Sequence, residues 1–155
     1  KKVLEAANKD LMRYIENSKV THVTAFYGVL NVNTFEFHYC RAGHTNTLLQ
    51  RDNQDMVELH SKGSFLGMFQ DIEFEENSIQ LQSGDCLYFY TDGITEAKGP
   101  NGDLFGNQRL KDSIQKHQSE PIGSRLHQII DEVELYTQYQ KATDDRSLVI
   151  LELNR

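Results

Sequence analysis

"LQSGDCLYFYTDGITEAKGPNGDLFG", residues 81–106, is the stretch on which the reading of this chain turns. A Ser83-Gly84-Asp85 turn leads into an apolar run that is too short for a core helix and rich in aromatics, which predicts a buried strand over 85–91. The run stops at Thr91-Asp92-Gly93, and a polar stretch with Gly99, Gly102 and Gly106 follows. A buried strand that ends in a carboxylate and a glycine has two readings. Asp-Gly is a frequent turn pair. The sharper alternative is that the fold aims Asp92 at a metal ion.

Outward from this stretch, the chain alternates between two periodicities. Val3, Leu4, Ala7, Leu11, Tyr14 and Ile15 recur at spacings of three and four, which predicts an amphipathic helix over about 2–17. Residues 20–32 are β-branched and aromatic, and Phe35, Phe37 and Tyr39 then alternate with Glu36 and His38. Two strands joined at Asn33-Thr34 are expected. Segments 45–51 and 55–60, around Asp52-Asn53, read as a further pair, and 72–81 as another strand. After residue 106 the period lengthens. Leu110 and Ile114 mark a short helix over 107–117, and Pro121 suits the first turn of the next. Ile122, Leu126, Ile129, Ile130, Val133 and Tyr136 form the apolar stripe of that helix. A last strand is expected over 146–153. Strands and helices are segregated, so the fold class is α+β, a sheet sandwich with helices outside, rather than a parallel βαβ fold.

The chain has 155 residues, enough for one domain with a sizeable core, and a formal charge of −7, which argues against a nucleic-acid partner. No apolar window approaches the roughly 18 residues of a membrane span. Cys40 and Cys86 lack zinc-type spacing and read as small buried hydrophobes of a reducing, cytoplasmic compartment, a disulfide between them being the alternative. The chain begins at Lys1-Lys2 and runs straight into a helix, as expected of a piece of a longer protein.

Asp92 follows one apolar run, and Asp144 and Asp145 precede another. Antiparallel neighbours would bring the end of the first beside the start of the second. Acids gathered at one sheet edge repel, and a hard cation such as Mg²⁺ or Mn²⁺, which selects carboxylate and water oxygens, removes the conflict. Gly93 would allow close approach there.

Three stretches in order carry a family resemblance. "HYCRAGHTNTLLQR" (38–51) resembles an Ala-Gly-His segment, "LQSGDCLYFYTDGITEAKGPNGDLFG" a Gly-Asp…Tyr-Thr-Asp-Gly…Phe-Gly segment, and "ATDDRSLVILEL" (142–153) a closing Asp-Asp strand. All three are similar to segments of the bacterial SpoIIE/RsbU-like serine phosphatases of the metal-dependent protein phosphatase 2C type. The resemblance implies one domain over 1–155, an antiparallel β-sandwich in α-β-β-α layers, with its N-terminal part missing. It implies two Mn²⁺ or Mg²⁺ ions that activate a water for attack on phosphoserine or phosphothreonine. It places Asp92 and Asp144 as metal ligands, with Gly93 beside them and Asp145 as the fallback ligand or a turn acid. The implied partner is a phosphorylated regulatory protein of the anti-sigma-factor-antagonist (STAS) type.

One departure qualifies this. The remaining metal acids of the family lie upstream of its first helix here, and Glu5, Asp10 and Glu16 lack their Gly-Asp context. The chain alone is therefore expected to be inactive. An open sheet edge left by absent strands is expected to favour a homodimer. The alternative function is an interaction module that keeps the fold without a complete metal site. Among other residues, His44 reads as a turn histidine or as a group that contacts phosphate or metal, and 61–67 as a structural loop without phosphate-loop spacing. Glu96 reads as a loop cap or an edge acid, 94–106 as a surface connection or a substrate-selecting flap, and Arg41 and Arg146 as the nearest cations for a phosphoryl group. His22, His38, His60, His117 and His127 receive no role.

Overall fold

The computed structural model describes residues 1–15, 19–51 and 55–154. Eleven elements follow in chain order among the described residues: α1 (Lys2–Ile15), β1 (Ala25–Leu30), β2 (Glu36–Ala42), β3 (Thr47–Gln50), β4 (Val57–Leu59), β5 (Glu76–Gln80), β6 (Cys86–Tyr90), α2 (Asp92–Thr95), α3 (Gly106–Lys116), α4 (Ile122–Tyr136) and β7 (Leu148–Glu152). The strands form two sheets, ordered β1-β2-β5 and β4-β3-β6-β7. The strand pairs with a resolved register, β1–β2, β2–β5, β3–β6 and β6–β7, are antiparallel. The fold is α+β, as the segregated periodicities require. The Asp52-Asn53 turn and the end of the first predicted helix lie outside the described residues. No helix among the described residues is long and apolar enough to cross a membrane.

The chain divides into two compact units, one of Lys1–Asn46 with Glu58–Ser83, the other of Thr47–Val57 with Gly84–Asn154. In the first, Leu4, Ala7 and Leu11 of α1 pack with Cys40, Ala42, Leu66 and Phe74. The predicted stripe needs one revision. Val3 and Tyr14 are exposed, and Asn8 is buried instead. Its amide donates to the Phe69 carbonyl at 2.9 Å, and its Oδ1 accepts the Gly67 N–H at 2.7 Å, so a polar residue pays its desolvation by fastening the 67–69 loop. At the β1–β2 connection the Asn31 carboxamide oxygen accepts from the Asn33 and Thr34 N–H groups, a local turn of the kind Asn favours.

In the second unit, Leu48, Cys86, Tyr88 and Tyr90 of the sheet pack against Leu110, Ile114, Ile129 and Val133 of α3 and α4. The α4 stripe begins at Arg125, which is buried, and not at Ile122, which is exposed. Arg125 donates to the Tyr88 hydroxyl and the Cys86 Sγ, each at 3.1 Å, and reaches the Glu152 carboxylate at 3.4 Å. Burial pushes the Tyr88 phenol up to about 12, against the pull of Arg125. The phenol therefore keeps its proton and donates to Gln50 Oε1 at 2.8 Å. Cys40 and Cys86 are buried free thiols, which removes the disulfide alternative.

Candidate metal centre

Strand β6 is buried along most of its length and ends at Tyr90, and the backbone of the next residue, Thr91, is still extended. The chain then winds into α2, a short helix where the sequence pattern predicts a turn and loop. The Asp92 carbonyl accepts the Glu96 N–H at 2.7 Å and the Thr95 hydroxyl at 3.2 Å, closing a single turn. Strand β7 runs antiparallel to β6, with Leu148 opposite Tyr90. Residues just after β6 therefore lie beside residues just before β7.

Hydrogen bonds make this junction. Thr91 donates its N–H to the Ser147 carbonyl at 3.1 Å. Its hydroxyl donates to the Asp145 carbonyl at 2.7 Å and accepts the Ser147 N–H at 2.9 Å. Gly93 is buried against the same segment. A Cβ there would collide with the Asp145 carbonyl oxygen and lie 3.4 Å from the Asp144 carbonyl carbon. Asp92, Asp144 and Asp145 are exposed at this edge. Asp144 Oδ1 accepts the Asp145 N–H at 2.8 Å, so the Asp144 carboxylate is oriented by its own backbone. Carboxylate oxygens are the donors that Mg²⁺ and Mn²⁺ select, so this donor set fits a hard dication in kind. Among the described residues no three His, Cys, Asp or Glu side chains are grouped to hold a metal ion.

The other candidates have local partners. Arg146 is not presented to the edge as a bare cation. Its Nη1 donates to Glu134 Oε1 of α4 at 2.8 Å, and its side chain is only 11% exposed. Arg41 donates its Nε to the Ser61 carbonyl at 3.1 Å, and His44 Nδ1 lies 3.1 Å from the Thr24 hydroxyl; both residues belong to the first unit. Residues 97–105 form a docked hairpin. Lys98 bridges Leu104, and Gly99 donates its N–H to the Asp103 carbonyl at 2.8 Å. The Tyr136 hydroxyl reaches the Asp103 and Leu104 carbonyls, each at 3.1 Å, and the Arg109 guanidinium lies 4.9 Å from the centre of the Tyr136 ring. Gly99 suits this packing, because a Cβ there would lie 3.0 Å from that ring and the ring would have to give way. Sequence reasoning passed over Thr91 and Glu134. Neither has the chemistry of a strong metal-site motif, and only the Thr91 position in the Thr-Asp-Gly step marks it.

Residues 1–154 match the family described as Stage II sporulation protein E (SpoIIE). The chain belongs to the SpoIIE family. It is 30% identical over 147 residues to the phosphoserine phosphatase RsbU of Bacillus subtilis, covering 92% of this chain and 43% of that protein. The Mn-presoaked phosphatase domain of the cell fate determinant SpoIIE from Bacillus subtilis superposes with a TM-score of 0.70 at 17% identity, over 99% of this chain and 72% of that one. The SiaA-PP2C domain of Pseudomonas aeruginosa gives 0.73 at 16% identity, over 98% and 70%. These structures share the fold. The SpoIIE-family chain spans less than half the length of its curated relatives, 43% in the case of RsbU.

Proposed function

We propose that this SpoIIE-family chain is part of a metal-dependent phosphatase that hydrolyses phosphoserine or phosphothreonine on a bacterial regulatory protein of the anti-sigma-factor-antagonist type. The observation that carries the reading is the sheet edge at which β6–β7 pairing brings the Asp92-Gly93 backbone beside that of Asp144-Asp145. Asp92 and Asp144 would be the ligands of Mn²⁺ or Mg²⁺. Asp145, whose carbonyl and N–H are both engaged in the junction, is the turn acid beside them. When bound, such ions lower the pKa of a coordinated water and neutralise phosphoryl charge. The chain itself would supply anionic oxygens at an exposed edge, that of Asp144 oriented by the Asp145 N–H, open to a phosphorylated side chain of another protein.

Hard dications prefer six oxygen ligands, and affinity falls as anionic ligands are lost. The described residues group fewer than three candidate side chains. Residues 1–155 alone are thus expected to bind Mn²⁺ weakly and to turn over slowly. The test is hydrolysis of p-nitrophenyl phosphate and of a phosphoserine peptide with millimolar Mn²⁺, by residues 1–155 and by the full-length gene product. Full-length activity should fall by a factor of about 100 or more in Asp92→Asn and Asp144→Asn, since even changing the partners behind metal ligands costs roughly ten- to a hundred-fold. Unchanged rates in both variants would refute the assignment. A full-length product with no turnover would favour the interaction-module reading.

A further inference from the structure

We propose that Thr91 is a positioning residue for the acid edge, acting with the Arg146–Glu134 ion pair as a two-point clamp on segment 144–147. The inference rests on the metal reading above.

Asp144 and Asp145 precede β7 and have no regular structure of their own to hold them. On one side the Thr91 hydroxyl acts twice, donating to the Asp145 carbonyl at 2.7 Å and accepting the Ser147 N–H at 2.9 Å. One side chain thus spans three residues of the acid segment from the residue that directly precedes Asp92. On the other side Arg146 reaches away from the acids to Glu134 at 2.8 Å. With that bond made and the side chain mostly buried, the guanidinium is engaged by α4 rather than by the carboxylates. Glu134 is itself tied into the end of α4, where its carbonyl accepts the Thr137 hydroxyl at 3.0 Å. The clamp therefore sets the approach of Asp144 to Asp92 with groups that need touch neither ion nor substrate. Groups that orient metal ligands typically contribute ten- to a hundred-fold to affinity when removed.

The variants are Thr91→Val, which keeps shape and loses both hydroxyl bonds, Thr91→Ser, which keeps them, and Glu134→Met, which removes the acceptor of Arg146 at similar length. The probe is Mn²⁺ alone, titrated while the backbone amide resonances of Gly93 and Asp145 are followed for paramagnetic broadening, a readout that works for weak binding. Thr91→Val and Glu134→Met should each raise the Mn²⁺ midpoint roughly ten-fold or more, with the rest of the amide spectrum dispersed as in the parent. Thr91→Ser should stay near the parent. Asp92→Asn separates the two readings: if it does not weaken the broadening, the metal assignment falls. If it does, while Thr91→Val and Glu134→Met keep the parent midpoint, the clamp is overturned. Should Thr91→Val fail to fold, Glu134→Met decides alone by the same criterion.

Discussion

Gly93 shows what a single residue decides at this edge. It packs against the backbone of Asp144 and Asp145 so closely that any side chain would displace one of the two segments. Backbone atoms give way less readily than a flexible side chain, so Gly93→Ala is expected to act as overpacking, at a cost of about 1–3 kcal/mol. Urea denaturation of the variant beside the parent measures it. A midpoint unchanged at equal slope would show that the junction is looser than described. The loss should come with weaker Mn²⁺ binding, because the acids flank the displaced backbone.

Among the elements, α3 and α4 are joined by a charge cluster that makes stability depend on pH. Glu132 of α4 accepts from Lys116 Nζ at 2.6 Å and lies 2.8 Å from His117 Nε2. Burial alone would raise its pKa, but these hydrogen bonds, led by Lys116, outweigh it and hold the carboxyl at about 2. A carboxylate with a depressed folded-state pKa stabilises the fold above its ordinary value and loses that contribution as pH falls towards the folded one. The contribution should be full above about pH 4.5 and fade between there and about pH 2. Thermal melts of Glu132→Gln against the parent across this range check it. The two should differ by about 1 kcal/mol near neutrality, since Lys116 is largely exposed, and converge in acid. A difference that grows in acid would contradict the sign.

For the whole molecule, open strand edges are the feature with a consequence in solution. β1 and β5 are the outer strands of one sheet, and β7 is an outer strand of the other. Val149 and Leu151 of β7 and Val29 of β1 are exposed. Unpaired edges with apolar side chains pair readily with another chain. Residues 1–155 are therefore expected to self-associate, and Val149→Lys to reduce it, since a charged edge resists pairing. Light scattering over a concentration series is the measurement. A concentration-independent monomer for the parent would count against the association.

Local chemistry determined much of this in advance. The period-2 and period-3.6 patterns, the Asn33-Thr34 and Ser83-Gly84-Asp85 turns and the Pro121 helix start are consequences of side-chain shape and backbone freedom within a few residues, so the α+β class and the strand-end positions of Asp92, Asp144 and Asp145 were legible in the sequence. Three things were not. That Asn8 and Arg125 are the buried members of their helices depends on acceptors that arrive from loop 67–69 and from strands β6 and β7. That 97–105 is a docked hairpin depends on Tyr136, more than 30 residues further along, meeting its carbonyls. That Thr91 and Glu134 hold the acid segment depends on a hydroxyl and a carboxylate with no motif of their own, whose partners lie 54 and 12 residues away. A hydrophobic pattern is written in one segment and can be read there. A hydrogen bond is a property of two groups, and only the tertiary fold chose the second.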